Sequence, residues 1–346
     1  MSIAPYRRTD GFPAEALRIL GWTTPGELAF VHEYLSDHYT GRGAAVELGC
    51  AFGRSTVALL AGLAANPRAS DRALDIYDLF ELDWFLHREL DLAGGAAALA
   101  VGDSFEPLVR RHVAPWAERA RLHAGDIAAS PWTGGPIEFL FIDIMKSWSA
   151  AAGVIRTFYP ALLSGALVIQ QDYKHPFAPQ VLLTQHRLRR HFEPAWDICG
   201  DGSASVAFRV VEPFAPGEIE EALAAGLGDL ASYTIGEIEA AFDAARAIVV
   251  ASPETERARL LAARVVLYGE LLGSDPESLQ GAAHVGAPVR AWLAGQLGPL
   301  GPEPGAAALQ AMTEDRDRFR AALQAVERSR SGRLLWAWWR WRKRRS

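Results

Sequence analysis

Cysteine is nearly missing from this chain, with only Cys50 and Cys199 among 346 residues. Two thiols far apart build neither a disulfide framework nor a cysteine-based zinc site, so a reducing, cytoplasmic setting is expected. Long apolar runs are missing too. The longest, such as Val57–Ala65, fall well short of the ~20 residues needed to span a bilayer. Met1 to Asp10 carries two arginines with no apolar stretch behind them, so no signal peptide is expected. Basic charge is scarce in the body of the chain. The formal charge is −6, yet eight Arg or Lys residues and no acid lie between Arg328 and Ser346, which leaves −14 for the rest. An acidic body argues against general nucleic-acid binding and gives the basic tail a separate role.

What is present is alternation. Strand patterns at Ala44–Leu48, Ala73–Asp78, Arg121–Ala124, Ile137–Asp143 and Ala166–Gln170 are separated by helical ones at Ser55–Ala65, Phe105–Arg119 and Ser149–Leu163. A helix over Gly26–Tyr39 precedes them and another over Pro179–Arg190 follows. Two further strands, Ala195–Cys199 and Ser205–Val211, are joined only by Gly200-Asp201-Gly202, too short for a crossover, so they pair antiparallel. The expected fold is α/β: a Rossmann-like, seven-stranded, mostly parallel sheet with an antiparallel last strand, followed by a C-terminal α-helical region. The expected divisions are N-terminal cap helices (1–40), the sheet domain (41–213), a helical accessory region (214–300), and a linker, polar helix and basic Trp-rich tail (301–346). Helices are expected at Ile219–Leu227, Ile235–Val250 and Glu254–Leu272.

The strongest motif is Val46-Glu47-Leu48-Gly49-Cys50-Ala51-Phe52-Gly53-Arg54-Ser55-Thr56. A buried strand ends beside an acid, turns through Gly49 and Gly53 and enters a helix. Such glycines let backbone approach a ligand, and the helix N-terminus offers free N–H donors. The spacing is G-x-x-x-G, which disfavours a nicotinamide dehydrogenase, and no Walker lysine follows.

This stretch resembles the first motif of class I S-adenosylmethionine (SAM) dependent methyltransferases, and the order of elements to Val211 resembles their fold. The resemblance implies that Glu47, Gly49 and Gly53 line the methionine part of SAM, that Asp78 binds the ribose hydroxyls, and that Asp126, in Gly125-Asp126-Ile127, lies near the adenine. A plainer reading makes Asp78 and Asp126 turn and cap residues.

Asp143-Ile144-Met145-Lys146 resembles the D-x-x-K segment of metal-dependent catechol-type O-methyltransferases. Gln170-Gln171-Asp172-Tyr173 resembles the segment bearing their remaining ligands, or the D-D-Y of macrolide-sugar O-methyltransferases. The implied metal ligands are Asp143, Gln171 and Asp172, with Gln171 standing where an acid is expected; Mg²⁺ prefers carboxylates. Lys146 is the implied general base and His175 its substitute. The other reading is that Asp143 and Asp172 bond loop backbone and that Lys146 is solvated. Cys50 reads as a small buried residue, and His186 and His191 as surface residues. Trp22, Phe30 and Tyr34 are candidates to cap an acceptor pocket.

The implied activity is SAM-dependent O-methylation of a hydroxyl on a small molecule or sugar, including a glycan. A second reading is a catalytically silent adaptor with the SAM fold. Trp336, Trp338, Trp339 and Trp341, interleaved with arginines, suit peripheral contact with the inner face of a membrane, a glycan or a partner. A homo-oligomer is compatible with the helical regions.

Overall fold

The computed structural model describes residues 3–94, 99–127 and 131–254, together with 256–257, 259–260, 263–264 and 267. All of them belong to one compact unit, Met1–Gly273. The tail tryptophans, the linker and the polar helix lie outside the described residues, as does most of the helix expected at 254–272. Among the described residues no helix is long and apolar enough to cross a membrane.

The strands are β1 (Ala4–Tyr6), β2 (Ala44–Leu48), β3 (Leu74–Asp78), β4 (Ala120–Ala124), β5 (Ile137–Ile142), β6 (Leu162–Gln170), β7 (Phe192–Ile198) and β8 (Val206–Val210). The helices are α1 (Pro25–Glu33), α2 (Arg54–Ala65), α3 (Trp84–Leu92), α4 (Glu106–His112), α5 (Trp148–Phe158), α6 (Pro179–Arg187), α7 (Glu218–Ala224) and α8 (Ile235–Ile248). The sheet order is β1-β7-β8-β6-β5-β2-β3-β4. Only β8 runs antiparallel, pairing on one side with β6 and on the other with β7. All seven expected strands are present in a Rossmann-like sheet.

An eighth strand was not expected. Ala4–Tyr6 pairs in parallel with β7, so the first forty residues are not only cap helices. Several expected helices end early, two of them near prolines. The one expected to reach Arg119 stops at His112 and gives way to a 3-10 stretch over Ala114–Arg119, where Pro115 has no N–H to donate. The one expected to reach Leu163 stops at Phe158, just before Pro160, and Leu162 already belongs to β6.

Why β5 forms the centre is legible from its composition: Ile137, Phe139, Leu140, Phe141 and Ile142 are all buried. Alternate residues serve opposite faces. Phe139 stacks on Tyr34 toward α1 and α2, while Tyr77 of β3 meets Phe158 of α5 edge-on. Each such ring withdrawn from water contributes about 2–3 kcal/mol. Phe30 and Tyr34 therefore pack in the core, against Tyr6, Trp196 and Phe139, and do not cap a pocket. Helix α7 packs on α5 and α8 on α6, so the first accessory helices belong to the same body as the sheet.

Candidate active site

The turn after β2 is built around Asp78, which ends β3. Its Oδ2 accepts from the Cys50 and Ala51 amides at 2.9 and 3.1 Å, and its Oδ1 accepts from the Phe80 amide at 3.0 Å. The turn needs that anchor because Ala51 holds φ +43° and Phe80 φ +52°, left-handed values costly for residues with a Cβ. A carboxylate offers about four lone-pair sites. With three used by backbone, Asp78 is chiefly a structural acceptor. Burial raises its pKa.

The two motif glycines have different reasons. At Gly49, φ is +86° and a Cβ would lie 2.2 Å from Ile144 Cγ2 and 2.8 Å from the Asp143 carbonyl oxygen. Its bareness lets the loop after β5 press against the turn, a role sequence reasoning had given to SAM alone. At Gly53, φ is +92° and the nearest atom stands at 3.5 Å, so backbone conformation alone demands glycine. Gly53 is also the N-cap of α2 and carries no side-chain cap, which leaves that helix end able to donate to a ligand.

Glu47 lies fully buried beneath this turn. Its Oε1 accepts from Ser55 Oγ at 2.6 Å, while Oε2 has no partner. Burial pushes its pKa up to about 8. Asp126 is exposed and follows β4 by two residues.

Across the strand ends, the structure brings Asp143, Lys146, Gln171 and Asp172 together. Lys146 Nζ donates to Asp143 Oδ1 at 2.7 Å and also to Asp172 Oδ2. With its amide nitrogen turned toward the acids, Gln171 donates to Asp143 Oδ1 at 3.0 Å and Asp172 Oδ1 at 2.9 Å. Burial raises Asp143 to about 7 against the pull of Lys146, and the two acids raise Lys146 far above its usual value despite its desolvation. The lysine is thus held as an ammonium, which disfavours it as the resting base. Nor does the donor set suit Mg²⁺, because the space between the carboxylates faces N–H groups rather than lone pairs.

His175 follows in the same turn. Its Nδ1 accepts from the Phe177 amide at 3.2 Å, and burial lowers its pKa. The neutral ring then carries its proton on Nε2.

Two groups of residues escaped sequence reasoning. Glu27, buried in the first turn of α1, accepts at Oε1 from Ser203 Oγ (2.9 Å), Ser205 Oγ (2.6 Å) and the Ala204 amide (3.2 Å), and at Oε2 from the Thr24 amide (2.7 Å). It fastens α1 to the β7–β8 turn. The S/T-x-x-E capping pattern Thr24–Glu27 was the available signal. Lys174, wholly buried, donates to Asp197 Oδ1 (2.9 Å), Glu256 Oε2 (3.0 Å) and the Ile198 carbonyl (2.9 Å). Ser252 Oγ donates to Asp197 Oδ2 at 2.6 Å, and the Gly200 amide to Glu256 Oε1 at 2.8 Å. Asp197, Cys199 and Glu256 place possible ligand atoms within 4.8 Å of one another, but the Lys174 ammonium already serves both acids. No local pattern signals this cluster.

His191, read as a surface residue, is buried. Its Nδ1 meets the Glu212 carbonyl at 2.8 Å, its Nε2 meets Glu218 Oε1 at 2.9 Å, and the ring stacks on Phe214. Cys50 is buried as expected. Trp22 remains half exposed and packs against Phe85.

No family model and no curated protein sequence matches the chain. Solved structures resemble it weakly. The O-methyltransferase NovP is 19% identical, with 55% of this chain and 81% of that one covered and a TM-score of 0.42. A TDP-rhamnose 3'-O-methyltransferase of calicheamicin biosynthesis is 16% identical over 53% and 76%, at 0.38. A caffeoyl-CoA O-methyltransferase assignment from Staphylococcus aureus is 11% identical over 57% and 88%, at 0.39. At these identities and scores the likeness does not bear on function, which rests on the residues of the site.

Proposed function

We propose that this protein is a SAM-dependent methyltransferase that methylates a hydroxyl on a small molecule or sugar. The observation that carries the reading is the pairing, at the C-terminal ends of adjacent parallel strands, of a cofactor turn with a polar cluster. The turn is Glu47 to Arg54, braced by Asp78, and the cluster is Asp143, Lys146, Gln171 and Asp172. Ligands of open α/β sheets bind at that end.

The residues fit SAM. Glu47 Oε2 is an orphaned buried acceptor beneath the turn, suited to an ammonium group. The uncapped N-terminus of α2 suits a carboxylate. Asp78, partly exposed at the C-terminal end of β3, is an acid placed to meet a hydroxyl. When bound, SAM supplies an electrophilic methyl group on its sulfonium. The chain's own work is to hold the acceptor oxygen in line and to receive its proton. Asp143, raised by burial toward neutral pH, is the group of the cluster best matched to that proton. Lys146 holds its charge beside it, and His175 becomes an alternative base only if its proton moves from Nε2 to Nδ1.

Calorimetric titration of SAM into the full chain, followed by detection of S-adenosylhomocysteine with hydroxyl-bearing acceptors, tests the reading. Binding and acceptor-dependent release are expected. Failure to bind SAM would remove the proposal, and binding without turnover on sugars, phenols or aliphatic alcohols would favour the silent adaptor.

A further inference from the structure

The space between Asp143 and Asp172 is already filled by donors. One is the Lys146 ammonium, on Asp143 Oδ1 and Asp172 Oδ2; the other is the Gln171 amide, which, oriented with its nitrogen toward the acids so that both contacts become hydrogen bonds, meets Asp143 Oδ1 and Asp172 Oδ1. Each acid therefore spends lone pairs on nitrogen. The loop that delivers Lys146 is fixed independently. Ile144 presses against the bare Cα of Gly49, buried Met145 gives its carbonyl to Gln180 Nε2 at 2.7 Å, and the Lys146 amide bonds the Ile144 carbonyl. Lys146 is thus delivered to its place by a braced backbone.

Charge explains why glutamine and lysine occur together. Two carboxylates and one ammonium sum to −1. A third acid at position 171 would give −2, more than one ammonium neutralises in a partly buried site. A divalent ion added to the present set would give +1 and set the metal against the lysine charge. We propose that Lys146 is the resident cation of this site, standing where a divalent ion would stand, and that Gln171 is the matching change that makes a single positive charge sufficient. The site is metal-free by construction. An ammonium has three hydrogens, of which the acids take two, leaving one for a ligand oxygen. That last point rests on the methyl-transfer reading; the exclusion of metal does not.

The test is Mn²⁺ titration followed by electron paramagnetic resonance, on the full chain and on variants whose folding is checked by circular dichroism. The wild type is expected to leave the free-Mn²⁺ signal unchanged at equimolar, submillimolar concentrations, and its melting temperature is expected to be the same in Mg²⁺ and in EDTA. Lys146→Ala combined with Gln171→Asp presents three carboxylates around the vacated position. It is expected to bind Mn²⁺ at least about tenfold more tightly than the wild type. Gln171→Asp alone, with the lysine retained, is expected to gain much less. Binding of one Mn²⁺ per wild-type chain that disappears in Asp143→Asn would overturn the proposal. A folded double variant that binds no better than the wild type would also overturn it, because the lysine would then not stand in an ion's position. If the double variant does not fold, the wild-type titration and its Asp143→Asn control still decide. Loss of SAM binding would leave these results untouched, so the two readings fail separately.

Discussion

Two clusters of the same composition, each a lysine between two acids, come within two residues of each other in the chain. Asp172 belongs to one and Lys174 to the other. In the first, the Lys146 side chain is 56% exposed; in the second, Lys174 and Asp197 are 0% exposed and Glu256 1%. The sealed cluster spends its polar atoms internally, with Ser252 and the Gly200 amide filling positions the lysine does not reach. It ties the segment after α8 to the end of β7 and is closed to solvent. The open cluster puts both of its donors to Asp143 on the same oxygen, Oδ1, and keeps a face toward solvent. Burial, more than composition, separates a closed fastening from a cluster that a ligand could reach.

The contrast is broken most directly at Lys174. Lys174→Met leaves two carboxylates uncompensated in the interior and is expected to cost about 3–5 kcal/mol in urea unfolding. A loss under about 1 kcal/mol would mean the cluster is not sealed in solution.

Glu47 sharpens the comparison as a buried acid with no cation. Its pKa in the fold, about 8, lies above its ordinary 4.5. Its neutral form is therefore favoured by folding. The contribution is fully present below about pH 4.5 and is lost as pH rises through about 8, at no more than about 1.4 kcal/mol per pH unit. Urea unfolding between pH 5 and 8.5 should show that slope, and Glu47→Gln should flatten it. An unchanged slope in the variant would place the titration elsewhere.

The two motif glycines come next. Gly49→Ala drives a methyl into Ile144 and the Asp143 carbonyl, so about 2–3 kcal/mol of stability and SAM binding should be lost together. Gly53→Ala meets no such obstacle and should cost about 1 kcal/mol, the strain of its φ alone. Equal losses in the two variants would show that the loop after β5 yields freely. The smallest effect is expected at Lys146→Met, about 1 kcal/mol or less, because half of that side chain is already in water. A melting temperature depressed as far as in Lys174→Met would abolish the distinction between the clusters.

The central strands were legible because the chain writes them as apolar runs closed by glycine or acid, as Val46-Glu47-Leu48-Gly49 and Phe141-Ile142-Asp143 do. β1 was not, since Ala4-Pro5-Tyr6 is three residues long and contains a proline; its identity comes from a partner far along the chain. α3 escaped because Leu90 is its one buried residue. Within the site, the grouping of Asp143, Lys146, Gln171 and Asp172 came from the resemblance to the D-x-x-K and D-D-Y segments, which place them at neighbouring strand ends. That Lys146 bonds both acids did not, because sequence gives no bond directions. Lys174 was illegible for a related reason: its acidic partners lie 23 and 82 residues away, one on an expected strand and one on an expected helix, with no pattern that points either at the lysine.

β1 also fixes an order of events during synthesis. Ala4 pairs with Trp196, about 190 residues later, and Arg7 Nη2 reaches the carbonyl of Ala251 at 2.6 Å. At about 5–20 residues per second, a ribosome needs on the order of ten to forty seconds to deliver the partner strand. Throughout that interval the short segment stays unpaired. The proline in it withholds one donor, and its brevity gives a stray edge little to grip. The last seam of the sheet is thus made from a segment that emerges long before its partner, and the body of the domain can assemble before that seam closes.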